Sequence, residues 1–185
     1  MQKTSLRLNR SSTCLVVVDI QERLLPAIFE RERLIQNAVR LIKGAAILGI
    51  PVLATEQYRK GLGATVPEIA SEIAAFSPLE KVTFSACGAG GFSEALKDRN
   101  VAEVLLCGME AHVCILQTCL DLLDHGLGVF VVADAISARN PENSRLALQR
   151  MHDAGAVIAS TEMVLFELLG RARTEEFKQV QALVK

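Results

Sequence analysis

Three side chains in this sequence are of types that combine into a single chemistry: Asp19, Lys81 and Cys114. A free thiol titrates near about 8.5, so little of it is a nucleophilic thiolate at neutral pH. Cys114 falls near the expected start of a helix, whose N-terminus carries roughly half a positive charge and favours the thiolate. A carboxylate beside it can accept the thiol proton, and a lysine offsets the carboxylate's charge. Asp19, closing the apolar run CLVVVD, and Lys81, in LEKVTFSA, have the types needed. Backbone N–H groups in the turn before the helix would face a developing oxyanion. The reaction class that fits is acyl transfer to water through a thioester.

Other chemistry fits less well. His112 is two residues from Cys114, so their side chains diverge and a Cys–His dyad is disfavoured. No pair among Cys14, Cys87, Cys107, Cys114 and Cys119 has C-x-x-C spacing, which weighs against a structural zinc site. Cys119, five residues after Cys114, points away from it on a helix. Apart from Cys114, the cysteines read as buried hydrophobes. The segment HVCILQTCL has no arginine after its cysteine to clamp a phosphate. DIQERLL, after the first apolar run, lacks the glycine-rich turn of a dinucleotide site.

The elements that must position these residues are legible as alternating patterns. Apolar runs at 14–19, 51–55, 101–108, 128–134 and 156–160 read as buried strands, and 80–85 as a weaker sixth. Continuous apolar strands belong in a parallel sheet covered on both faces. Between them, 31–48 carries a helical stripe stopped by Gly49, and Thr65 with Glu68 reads as a capping box around Pro67. A helix over 112–124, another opened by Asn140 and Pro141, and two capped by Thr161 and Thr174 complete the set. Strands alternating with helices imply an α/β, three-layer α/β/α, doubly wound parallel sheet, with six strands in the order 3-2-1-4-5-6. That order sets the first strand beside the fourth, where ligands bind at the strands' carboxyl ends. Asp19 and Cys114 meet there.

The chain of 185 residues suits one domain, 1–185, with no linker or repeat. A net charge of -1 argues against a nucleic-acid partner. No apolar run reaches the roughly eighteen residues of a membrane span. MQKTSLRLNRSS lacks the apolar stretch of a secretory signal. With its odd cysteine count, the chain is expected to be cytoplasmic. No cofactor is called for, and a small molecule is the expected partner.

The segments VVVDIQERL, LEKVTFSA and LLCGMEAHVCILQTCLDLLDHG, with VVADAISARNPENSRLALQRMHDAGA after them, resemble the isochorismatase-like, nicotinamidase-related hydrolase family from about Thr13 to Ala159. TEQY (55–58) and GLGATVPE (61–68) are most similar to its isochorismatase domain-containing protein subgroup. The resemblance implies a three-layer fold with Asp19 as general base, Lys81 as electrostatic partner and Cys114 as nucleophile. It also implies a cis, non-proline bond joining Met109 to Glu110, which turns the Glu110 N–H toward the oxyanion beside that of Cys114. Metal-dependent nicotinamidases use an Asp-x-His motif and a further histidine after the second strand. The matching stretch here, TEQYRKGLG, has no histidine, so no metal is expected and nicotinamide is disfavoured. Glu110 stands where many members have a small residue or Thr, and Leu24 where relatives often have an aromatic. Leu24, Gln57, Tyr58, Phe84 and Met109 are the candidates to line the substrate pocket. A solvated loop or core packing explains Gln57, Tyr58 and Phe84 equally well. Relatives commonly assemble, so a homo-oligomer is expected. The leading reading is a metal-independent cysteine hydrolase of a small amide or related acyl compound; the alternative is a non-catalytic scaffold or binding protein that keeps the fold.

Overall fold

The first strand, β1 (Thr13–Val18), is buried along its whole length, and its side chains alternate between two cores. Leu15 and Val17 join Leu34, Leu41 and Ile42 of α1 (Arg31–Leu48) and Val164 and Leu165 of α7 (Thr161–Leu169). Cys14, Val16 and Val18 join Phe92 and Leu96 of α4 (Phe92–Asp98), Leu122 of α5 (Leu116–Asp124) and Met151 of α6 (Pro141–Asp153). Side chains of a strand point alternately to opposite faces, so a strand apolar at every position needs cover on both. Each fully buried aliphatic contributes about 1.5–3 kcal/mol, which sets the sheet at the centre of the molecule.

A computed structural model of the chain describes residues 7–185; residues 1–6, part of the segment read for a secretory signal and of the expected domain, lie outside the described residues. The remaining strands are β2 (Val52–Gln57), β3 (Leu79–Lys81), β4 (Glu103–Met109), β5 (Gly128–Ser137) and β6 (Val157–Ala159). All pair in parallel in the order β3-β2-β1-β4-β5-β6, the six-strand topology expected. Short helices α2 (Arg59–Leu62) and α3 (Pro67–Ala70) follow β2, and α8 (Glu175–Val184) ends the chain against α1. Among the described residues no helix is long and apolar enough to cross a membrane. Cys14, Cys107 and Cys119 are buried free thiols and Cys87 is a half-buried one.

Several local expectations hold and three are corrected. Gly49 caps α1 at φ 67, Asn140 accepts from the Glu142 N–H ahead of α6, and Thr174 accepts from the Phe177 N–H of α8. Thr65 does not cap a helix: Val66 occupies that position, and the Thr65 hydroxyl and N–H both go to the buried Glu56 carboxylate, at 2.9 and 2.7 Å. A buried carboxylate is a stronger acceptor than a helix end is a donor. Thr161 is likewise displaced as a cap by Ser160 and donates instead to Asp134 Oδ1. The strand read over 80–85 stops at Lys81, because Val82 and Phe84 turn out to solvent, 80% and 52% exposed.

At the switch point β1 and β4 approach too closely for any side chain. Gly108 has φ 121, and a Cβ there would collide with the Val18 carbonyl oxygen. Only glycine permits this pairing, immediately before the residues that carry the site.

Candidate active site

Asp19 follows the last residue of β1 with φ 53, and its carboxylate has no exposed surface. Register explains its neighbours. Val18 pairs with Thr55 of β2, and the Thr55 hydroxyl donates to Asp19 Oδ1 at 2.7 Å. Gln57 pairs with Lys81 of β3, which places the lysine one strand further out. Its ammonium reaches back to Asp19 Oδ2 at 2.6 Å.

Lys81 Nζ has three further acceptors: Gln57 Oε1 at 2.8 Å, Phe84 O at 3.0 Å and Thr83 O at 3.3 Å. This accounts for the early end of β3. The carbonyls of Thr83 and Phe84 turn inward to the ammonium instead of continuing a ladder. Two buried charges are tolerable only when paired and hydrogen-bonded throughout, and this pair is.

Cys114 arrives from the other side of the switch point. After β4 the Met109–Glu110 peptide is cis, and residues Ala111–Ile115 form a π-helical turn before α5 begins. The Glu110 carbonyl accepts from the N–H groups of Val113 and Ile115, bonds that skip the Cys114 N–H between them. Such wide turns are concentrated at functional sites. Cys114 is buried, 5% exposed, and its thiol is pushed up to about 12. Burial is the main cause; the Asp19 charge and a hydrogen bond to Asp19 add to it, while Lys81 and the Glu110 N–H oppose it. Thus the three groups converge, and burial works against the thiolate that a helix start favours.

The pocket candidates separate. Gln57 is committed to structure, since its side chain holds Lys81 and donates to Val82 O at 2.9 Å. Met109 has no exposed surface and packs in the α1-side core, so it offers nothing to a ligand; the alternation of β4 sends it there with Cys107. Leu24 is partly buried against the same core. Tyr58 and Phe84, 54% and 52% exposed, flank the backbone that supports Lys81: Tyr58 donates its N–H to Lys81 O, and Phe84 accepts from Nζ. Glu110 is buried at 5% exposure and its carboxylate is held by Arg139. His112 Nδ1 lies 3.4 Å from Glu110, which removes His112 from the nucleophile's service.

Sequence reasoning missed Thr55, Gln21 and Arg139 as site residues. Gln21 is fully buried; its amide donates to Gln57 O and Gly63 O, and its oxygen accepts from the Gln57 N–H. Gln21 opens the polar run Gln21–Glu22–Arg23, so nothing in its surroundings marked it as buried. Among the described residues no group of three or more His, Cys, Asp or Glu is placed to hold a metal ion, so the donor set does not fit the metal-binding branch of the resemblance.

Comparison with known proteins agrees with this fold. The family model described as the isochorismatase domain matches residues 13–163. The human isochorismatase domain-containing protein 2 is 42% identical over 175 residues, covering 94% of this chain and 83% of its own length. Among solved structures, the MAR1 ribonuclease of Caenorhabditis elegans superposes with a TM-score of 0.91 at 41% identity, covering 96% of this chain and 92% of that one. The Escherichia coli YcaC gene product, described as an octameric hydrolase of unknown specificity, also gives 0.91, at 25% identity over 98% of this chain and 91% of its own. By the span of the domain match and the closeness of its relatives, the chain belongs to the isochorismatase-like hydrolase family.

Proposed function

We propose that this protein is a metal-independent cysteine hydrolase of small amides or related acyl compounds, with Cys114 as nucleophile, Asp19 as general base and acid, and Lys81 as the fixed countercharge. The observation that carries the reading is the buried Asp19–Lys81 pair, 2.6 Å apart, facing the Cys114 thiol at the point where strand order reverses. Since burial raises the thiol and holds its proton in place, activation takes place within the attack itself. The sulfur bonds to the carbonyl carbon while its proton passes to Asp19. The oxyanion so formed is met by the N–H groups of Glu110 and Cys114. Collapse breaks the C–N bond as Asp19 returns the proton to the leaving nitrogen, giving a thioester and an amine. Asp19 then takes a proton from water, hydroxide attacks the thioester, and the thiol is regenerated with release of the acid.

A panel of small amides, ureas and ureido acids, assayed against the wild type and Cys114→Ala, tests this directly. Turnover should fall at least roughly a thousand-fold in the variant. Full activity in Cys114→Ala would defeat the assignment, and a wild type inert toward the whole panel would favour the scaffold reading. The C. elegans neighbour is named a ribonuclease, so an RNA substrate belongs in the same panel. The net charge of -1 supports the small-molecule reading against it. Five free cysteines suit a reducing, cytoplasmic setting.

A further inference from the structure

Arg139 stands between β5 and α6, two residues beyond Ser137, whose strand partner is Met109. That register brings it alongside Glu110, the residue whose N–H faces the Cys114 sulfur. The buried Glu110 carboxylate grips Arg139 at two points. Oε2 accepts the Arg139 backbone N–H at 3.2 Å, and Oε1 accepts from the guanidinium Nε. A guanidinium is a rigid plane with five donors. With Nε committed inward, the edge carrying both Nη groups has no partner among the described residues, and the side chain is 62% exposed. A merely solvated surface arginine would be free at Nε as well and would sample many orientations. Here a buried charge fixes the plane and leaves its outer fork open, beside the oxyanion-side turn. Two parallel N–H donors match the two oxygens of a carboxylate.

The geometry points to Arg139 as the residue that recognises a carboxylate on the substrate, so that the preferred substrate is a small amide carrying an acid group at its other end. This rests on the amidase reading above for the word amide, but the recognition itself is a binding property and is tested as one. The nucleophile is removed with Cys114→Ala, and calorimetry compares succinamate, which bears one amide and one carboxylate, with neutral succinamide. Succinamate should bind more tightly. Adding Arg139→Gln should weaken it roughly ten- to a hundred-fold and bring the ratio of the two affinities close to one. Arg139→Lys should restore only part of the preference, since an ammonium lacks the fork. Glu110 keeps His112 Nδ1 at 3.4 Å when Arg139 is replaced, and a thermal melt checks that the variants stay folded.

Equal affinities, undetectable binding of both ligands, or an equal loss for both in Arg139→Gln would overturn the assignment. Turnover with Cys114 intact separates the two proposals. Acid-selective binding without hydrolysis sinks the amidase reading and upholds Arg139, whereas hydrolysis without acid preference does the opposite.

Discussion

Replacing Lys81 by Met probes the charge arrangement without reference to any substrate. Methionine keeps an unbranched stem one atom shorter and removes the ammonium, which leaves the Asp19 carboxylate, Gln57 Oε1 and the carbonyls of Thr83 and Phe84 without their shared donor. Asp19 retains only the Thr55 hydroxyl and the Cys114 thiol. Breaking a buried ion pair from one side costs about 3–5 kcal/mol, because the remaining charge has neither water nor partner. For a chain of 185 residues this corresponds to a fall of roughly 6–20 °C in melting temperature. Urea titration followed by circular dichroism, with an unchanged m-value, gives the number. The double variant Asp19→Asn with Lys81→Met should lose much less than the sum of the single losses, since the orphaned charge is gone. A cost below about 1 kcal/mol for Lys81→Met would mean that the pair is solvated, and the account of the site would fail with it.

Two further outcomes follow from burial and exposure. Cys14, Cys107, Cys114 and Cys119 are each pushed by burial from 9.0 to about 12. Raised thiols contribute stability that is fully present below the ordinary value and is lost as pH climbs from 9.0 toward about 12. Unfolding free energy should therefore decline above that lower bound by about 1 kcal/mol per pH unit per thiol, and Cys107→Ala should flatten the slope by one share. Stability unchanged up to about pH 11 would show that these thiols are not desolvated. The exposed Tyr58, Val82 and Phe84 offer an apolar surface for contact with a second copy, and the protein is predicted to sediment as a homo-oligomer. Sedimentation as a strict monomer at micromolar concentration would refute this.

The fold was readable because β1, β4 and β5 are apolar at nearly every position, a pattern that a sheet covered on both sides buries. Strand order then followed from the common six-strand doubly wound arrangement, and with it the meeting of Asp19 and Cys114. What escaped the reading shares one cause: a tertiary partner outbidding a local preference. Thr65 has the spacing of a capping residue, but Glu56 lies buried within its reach. Thr161 is drawn to Asp134 for the same reason. Residues 82–85 have strand composition, but the Lys81 ammonium needs their carbonyls more than a sheet edge does. The burial that raises the Cys114 thiol could not be read either, because a helix start and a desolvating pocket push a thiol in opposite directions. Arg139 was invisible for want of any local signal, since its partner Glu110 is twenty-nine residues away in sequence.

Gln57 has a consequence for anyone wishing to alter what this protein accepts. Its backbone is laced to Gln21, which also secures Gly63, while its side chain steadies the ammonium. The segment from Tyr58 to Gly63 and the charge beneath it therefore form one mechanical unit, and remodelling the first will disturb the second. Arg139 hangs by a separate tether, the Glu110 carboxylate. Substitutions at Arg139 itself spare the Asp19–Lys81 pair, whereas its tether Glu110 carries the N–H that faces Cys114, so the molecule opens one residue to redesign and withholds its support.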